Sequence, residues 1–167
     1  VVGGKFTTYR LMGEKVTDLI CQYLNVKTPC RTAIEPLVED ASPELMAKAR
    51  KCFPAYGADL AASRLGSAGL EKVIERIEAK PEKRQLICEC ENVTMAEVEE
   101  AAADETSHMI SDVRRKTRMG MGTCQGAFCT FRSVGAVDAN GLSWGKDTNG
   151  LFKEFLQARF KGIKPII

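Results

Sequence analysis

A chain of 167 residues that is 44% hydrophobic and 28% charged is long enough for one large buried core or two small ones, and its composition is that of an ordinary globular protein. Lys and Arg number 24 against 22 Asp and Glu, a formal net charge of +2 that lacks the basic stripe nucleic-acid binding needs, so no nucleic-acid partner is expected. No run approaches about eighteen uninterrupted apolar residues, so no membrane-spanning helix is expected either.

The start, Val1-Val2-Gly3-Gly4-Lys5, has no initiator Met and reads as the end of a strand entering a turn, which suggests a piece of a longer protein. From Thr8 to Val26 the apolar residues Leu11, Met12, Val16, Leu19, Ile20, Tyr23 and Leu24 follow three-and-four spacing, predicting an amphipathic helix capped by Thr7 or Thr8. Pro29 and Pro36 bracket a loop or short strand. Ser42-Pro43-Glu44 has the order of an N-cap followed by Pro at the first helical position, and opens a helix reaching about Cys52. Helical patterning continues over 56–65 and 69–78, with Gly57, Gly66 and Gly69 as breaks.

The polar run Ala79-Lys80-Pro81-Glu82-Lys83-Arg84 is the predicted linker. Beyond it, 86–91 reads as extended, and Thr94-Met95-Ala96-Glu97 has the capping-box spacing. A further short helix is predicted from Ile110 to about Thr117, then one starting at Cys124 and running through Phe128, Phe131 and Val134 to Asn140-Gly141. A last amphipathic helix covers 149–160.

The chemistry concentrates in four cysteines. Cys88-Glu-Cys90 on an extended segment places two thiols on one face roughly 7 Å apart by the strand rise. Cys124 and Cys129 follow across a loop-to-helix turn, where free N–H groups and the helix dipole favour anionic sulfur, and Gly120, Gly122 and Gly126 let the backbone approach. Such a set suits an iron–sulfur cluster; structural zinc and four unrelated thiols are the competing readings. The other cysteines, Cys21, Cys30 and Cys52, are scattered and odd in number, which fits reduced thiols in a cytosol. His108, between Ser107 and Ser111, is expected at the surface.

The cysteine pattern, together with the run Asp112-Val113-Arg114-Arg115-Lys116-Thr117-Arg118-Met119-Gly120-Met121-Gly122-Thr123-Cys124-Gln125-Gly126, resembles the bacterioferritin-associated-ferredoxin-like domain over about 86–140. The resemblance implies a compact helix-turn-helix domain holding a [2Fe–2S] cluster through Cys88, Cys90, Cys124 and Cys129. The basic run at Arg114, Arg115, Lys116 and Arg118 then reads either as a solvated helix face or as a dock for an acidic partner.

A second resemblance covers about 1–80. Gly3-Gly4-Lys5-Phe6-Thr7-Thr8-Tyr9-Arg10, followed by Pro29-Cys30-Arg31-Thr32, is similar to the end of the flavin domain and the start of the helical carboxy-terminal domain of FAD-dependent glycerol-3-phosphate dehydrogenases. On that match Gly4, Lys5, Phe6 and Thr7 touch FAD. Flavin turn, helical unit and [2Fe–2S] module in this order resemble the large subunits of the anaerobic members. That implies oxidation of sn-glycerol 3-phosphate to dihydroxyacetone phosphate, an FAD domain upstream in the same chain, membrane-associated electron-accepting subunits, and a cytoplasmic location peripheral to the inner membrane face. The nucleotide-binding glycine fingerprint and a convincing catalytic base are absent from the sequence, so no catalytic residue is expected here.

The expected fold is mainly α: 1–12 ends a flavin domain, 13–80 is a small helical domain, 85–140 holds the cluster, and 141–167 is a terminal helix. A structural zinc or redox-sensing module that recruits a partner, and a flavin dehydrogenase of another hydroxy acid or of an amino acid, are the alternatives.

Overall fold

The structure, a computed structural model, describes residues 5–54 and 56–162. These residues are mainly α, as expected, with seven α-helices and one antiparallel two-stranded sheet. They divide into two compact units, one ending at Glu39 and the other starting at Asp40.

In the first unit a 3-10 turn, Phe6–Thr8, leads into α1, Tyr9–Tyr23. Thr8 occupies the N-cap position without capping: its hydroxyl donates to the Lys5 carbonyl at 2.8 Å and closes the preceding turn instead. The helix stops before Val26 because Asn25 turns left-handed at φ 56°, and the Val26 N–H reaches back to the Cys21 carbonyl at 2.8 Å. No residue of α1 is buried.

The second unit begins with α2, Pro43–Cys52, where Ser42 accepts from the Leu45 N–H at 3.2 Å and Pro43 sits in the first turn. Next comes α3, Gly57–Ala79, which is kinked at Gly66, a predicted break; φ 65° and ψ −173° there suit a residue without Cβ. These two helices bury Ala49, Phe53, Leu70, Val73, Ile74 and Ile77 in one cluster.

A 3-10 turn at Pro81–Arg84 leads to β1, Leu86–Cys88, which pairs with β2, Val93–Thr94. Helix α4, Met95–Ala103, starts with the predicted capping box: Glu97 N–H donates to Thr94 Oγ1, and the Glu97 carboxylate accepts from Thr94 N–H at 2.8 Å. Helices α5, Ile110–Thr117, α6, Cys129–Ala139, and α7, Thr148–Arg159, close a second cluster around Val98, Ile110, Val113, Val137 and Leu151. Fully burying one such side chain stabilises the fold by about 1.5–3 kcal/mol, so Leu70 and Leu151, both without exposed surface, anchor their respective clusters.

Ion pairs tie α3 to α4. Arg64 meets Glu97 at 2.6 Å with side chains 5% and 0% exposed, and Arg76 meets Glu100 at 2.6 Å. Lys83 pairs with the buried Glu99, which also accepts from Asn140 of the α6 terminus at 3.0 Å. Removing one partner from the buried Arg64–Glu97 pair leaves an uncompensated charge and costs about 3–5 kcal/mol. No helix among the described residues is long and apolar enough to cross a membrane.

Candidate metal centre

Strand β1 carries Ile87 and Cys88 into the second core, leaving Cys88 1% exposed. The register pairs Cys88 with Val93, so the four intervening residues must reverse the chain. They do so in a tight turn in which Asn92 takes φ 49°. The sequence reading of an extended segment through Glu91 is thereby corrected: the strand ends at Cys88, and Cys90 rides on the turn, exposed.

The second cysteine segment departs from expectation in a related way. Helix α5 ends as predicted, with Arg118 left-handed at φ 63°. Yet α6 begins at Cys129 and not at Cys124, because Gln125 at φ 51° and Gly126 at φ 92° break the helical path between them. The helix dipole therefore acts on Cys129, the first residue of α6, while Cys124 relies on turn N–H groups.

These turns bring the four thiols together as two pairs. Cys129 lies beside Cys88 inside the core, close enough to shift its thiol, and Cys90 stands in the same relation to Cys124 nearer the surface. The Cys129 contact is the main reason the Cys88 thiol is lowered to about 6; the N–H groups of Gly120, Glu91 and Cys90 add to it, against burial. Cys129 is pushed up by the same contact, then by burial and by the charges of Cys88 and Cys124. Cys124 is lowered, chiefly by the Gly126 N–H and further by that of Phe128 and by Cys90, while burial and the charge of Cys88 oppose. Among the described residues no three His, Cys, Asp or Glu side chains gather at one point as a metal-ion site. Two adjacent pairs are the donor set a two-iron centre takes, with two thiolates for each iron and peptide N–H groups turned toward sulfur.

The glycines are required by contact. A Cβ on Gly122 would fall on Cys90 Cβ; one on Gly120 would lie 3.1 Å from Gly126 Cα and 3.6 Å from Cys129 Sγ; one on Gly126 would lie 3.2 Å from the Phe155 ring. Gly120 and Gly126 also take positive φ, which their neighbours' close approach leaves to glycine alone.

Of the proposed flavin residues, Gly4 lies outside the described residues. Lys5 is extended, and Phe6 and Thr7 form the 3-10 turn; all three are exposed, with Phe6 5.4 Å from the Tyr9 ring. The basic run is largely occupied internally. Arg115 pairs with Asp112 at 2.7 Å and Arg118 with Glu91 at 3.0 Å, Lys116 pairs with Asp104, and Arg114 donates to the Gly120 carbonyl at 3.3 Å. His108 is exposed, as expected. Residues the sequence reading missed are Glu91, which joins the two cysteine segments, and Arg64, which donates to the Glu91 and Asn92 carbonyls. Asn92 carried a signal, since Asn is a turn residue that tolerates the left-handed region; Arg64 carried none.

Residues 86–132 match the family of the BFD-like [2Fe–2S] binding domain. The chain as a whole is similar to one component of anaerobic glycerol-3-phosphate dehydrogenase, the subunit designated A. The Escherichia coli K12 protein is 35% identical over 167 residues and the Haemophilus influenzae protein 32% over 166, each across 99% of this chain. The Haloferax volcanii subunit designated A1 is 39% identical over 137 residues, 79% of this chain. The chain spans only 30%, 29% and 22% of those relatives' lengths respectively. No solved structure matches.

Proposed function

We propose that this chain is the electron-transfer portion of a flavin- and iron–sulfur-dependent glycerol-3-phosphate dehydrogenase, with Cys88, Cys90, Cys124 and Cys129 as the ligands of its [2Fe–2S] cluster. The observation that carries the assignment is the convergence of the two cysteine segments, with Gly122 packed against Cys90 and Gly120 against Cys129, within the segment that matches a [2Fe–2S]-binding family. When bound, such a cluster supplies one-electron chemistry, which allows a two-electron flavin to be discharged in two steps. The chain's own residues keep the inner sulfurs dry, direct N–H groups at Cys88 and Cys124, and leave the Cys90 and Cys124 side near the surface, where a partner can approach.

In the whole enzyme the expected reaction is oxidation of sn-glycerol 3-phosphate to dihydroxyacetone phosphate at an FAD domain preceding this chain. Electrons then pass to a respiratory acceptor through membrane-associated partner subunits, which hold the enzyme at the inner membrane face. Gly4, Lys5, Phe6 and Thr7 are assigned to the flavin edge, residues 13–80 to the helical part and 85–140 to the cluster-binding part. The exposure of Lys5, Phe6 and Thr7 supports a contact made with a domain outside this chain. Alone, the chain is expected to bind the cluster without turning over substrate.

Anaerobic purification with iron and acid-labile sulfide analysis, plus electron paramagnetic resonance after dithionite reduction, tests the assignment. About two irons and two sulfides per chain with a reduced-cluster signal are expected for a four-cysteine [2Fe–2S] site. One zinc that persists through reconstitution with iron and sulfide would refute it.

A further inference from the structure

We propose that Arg64, on α3 and outside the matched segment, is a positioning residue for the cysteine site: its guanidinium holds the Glu89–Asn92 turn, and through it the groups that organise Cys88 and Cys90. The proposal rests on the four cysteines being the cluster ligands.

Arg64 Nη1 donates to the Glu91 carbonyl at 2.8 Å, and Nη2 donates to the Asn92 carbonyl at 3.4 Å and to Glu97 Oε1 at 2.6 Å. The side chain is 5% exposed, and Nε has no partner among the described residues, a desolvation cost that the three acceptors offset. Glu97 is itself fixed by the capping box on α4, so the guanidinium is aimed from one side and grips the turn with the other.

The turn needs that grip. Asn92 holds φ 49°, the left-handed region that Asn tolerates, and the turn's N–H groups, of Cys90 and Glu91, help to lower the Cys88 thiol. Fixing the carbonyls of Glu91 and Asn92 fixes the peptide planes next to those donors. Glu91 then extends the restraint to the other cysteine segment. Its carboxylate accepts from Arg118 Nε at 3.0 Å, and its Oε1 lies 3.4 Å from where a Cβ on Gly122 would sit, beside Cys90. One residue is thus held by its backbone from α3 and by its side chain from the end of α5. Here two separate nitrogens of the planar guanidinium serve the acceptors, a fixed fork that the single ammonium nitrogen of Lys does not reproduce.

The test uses the 167-residue chain loaded with cluster, in two variants. Arg64→Lys keeps the charge opposite Glu97 but not the fork; the double variant Arg64→Met, Glu97→Gln removes both buried charges while leaving an amide oxygen to accept from the Thr94 N–H, as the capping box allows. Cluster loss under chelator, followed by visible absorption, is expected to be about tenfold faster or more in both, the range for outer-shell partners. The reduced-state resonance spectrum should change and the reduction potential fall as N–H donors lose their aim at sulfur. Helical circular dichroism of the cluster-free chain should stay at the wild-type level. Wild-type decay, spectrum and potential in both variants would overturn the proposal, and so would loss of helical signal in the cluster-free variants, which would make Arg64 a determinant of the fold as a whole. If wild type binds no cluster, or keeps it after each cysteine is replaced by Ser, the ligand assignment itself falls and takes the proposal with it.

Discussion

Cys88 and Cys129 are each 1% exposed and belong to the same apolar cluster as Val98, Val113 and Leu151, whereas Cys90 stands exposed on a turn and Cys124 half-buried on another. The inner pair is positioned by regular structure, at the end of β1 and the first residue of α6, so its geometry is carried by the core. The outer pair is positioned by backbone irregularity: Asn92, Gln125 and Gly126 with positive φ, and Gly122 against Cys90. The difference suggests a division of labour in which the inner thiols anchor a cluster and the outer thiols leave one edge accessible to an electron partner.

The largest expected effect comes from breaking the inner pair. Cys88→Ser or Cys129→Ser should abolish cluster binding, measured as iron and sulfide per chain, while Cys90→Ser or Cys124→Ser should retain a partial, more labile cluster with a shifted spectrum. Equal loss in all four would erase the distinction. Next is Gly122→Ala, whose added methyl meets Cys90 Cβ and forces the two turns apart. A destabilisation of about 1–3 kcal/mol is expected from such overpacking, together with faster cluster release but retained helical content. A wild-type melting temperature and release rate would mean that the outer turns yield freely.

Thr94→Ala acts on the frame beneath the inner pair. It removes the cap of α4 and the contact of the buried Glu97 with Thr94 Oγ1, at an expected cost of about 1 kcal/mol, read as a drop in melting temperature of roughly 2–4 °C. The smallest effect is expected at Arg132, which pairs with Glu89 beside the outer turn with both side chains largely exposed, at 46% and 58%. Arg132→Ala should leave the melting temperature and cluster content unchanged because solvent screens the pair; a lower cluster content would assign Arg132 to the site.

Local signals in the sequence carried much of this architecture. Ser42-Pro43, the Thr94 to Glu97 capping box and the break at Gly66 each follow from the hydrogen-bonding or steric habits of a few neighbouring residues, and all stand where the pattern placed them. The two close cysteine pairs flanked by glycines are likewise a pattern among neighbouring residues, which is why the sequence reading singled them out. The start of α6 was misplaced because Gln125 in a left-handed conformation has no strong sequence signature, and the end of β1 because pairing with Val93 is a tertiary demand on Cys88.

By itself the sequence determined that this protein is mainly helical, where most of its helices begin, and which thiols stand in close pairs along the chain, because caps, periodicity and spacing are local properties. Only the tertiary structure decided which thiol meets which, which pair is buried, and that Arg64 reaches a turn 27 residues ahead of it. Those outcomes depend on how α3 packs against α4 and how β1 pairs with β2, and contacts between distant segments are set by the joint fit of many side chains that no single stretch of chain encodes.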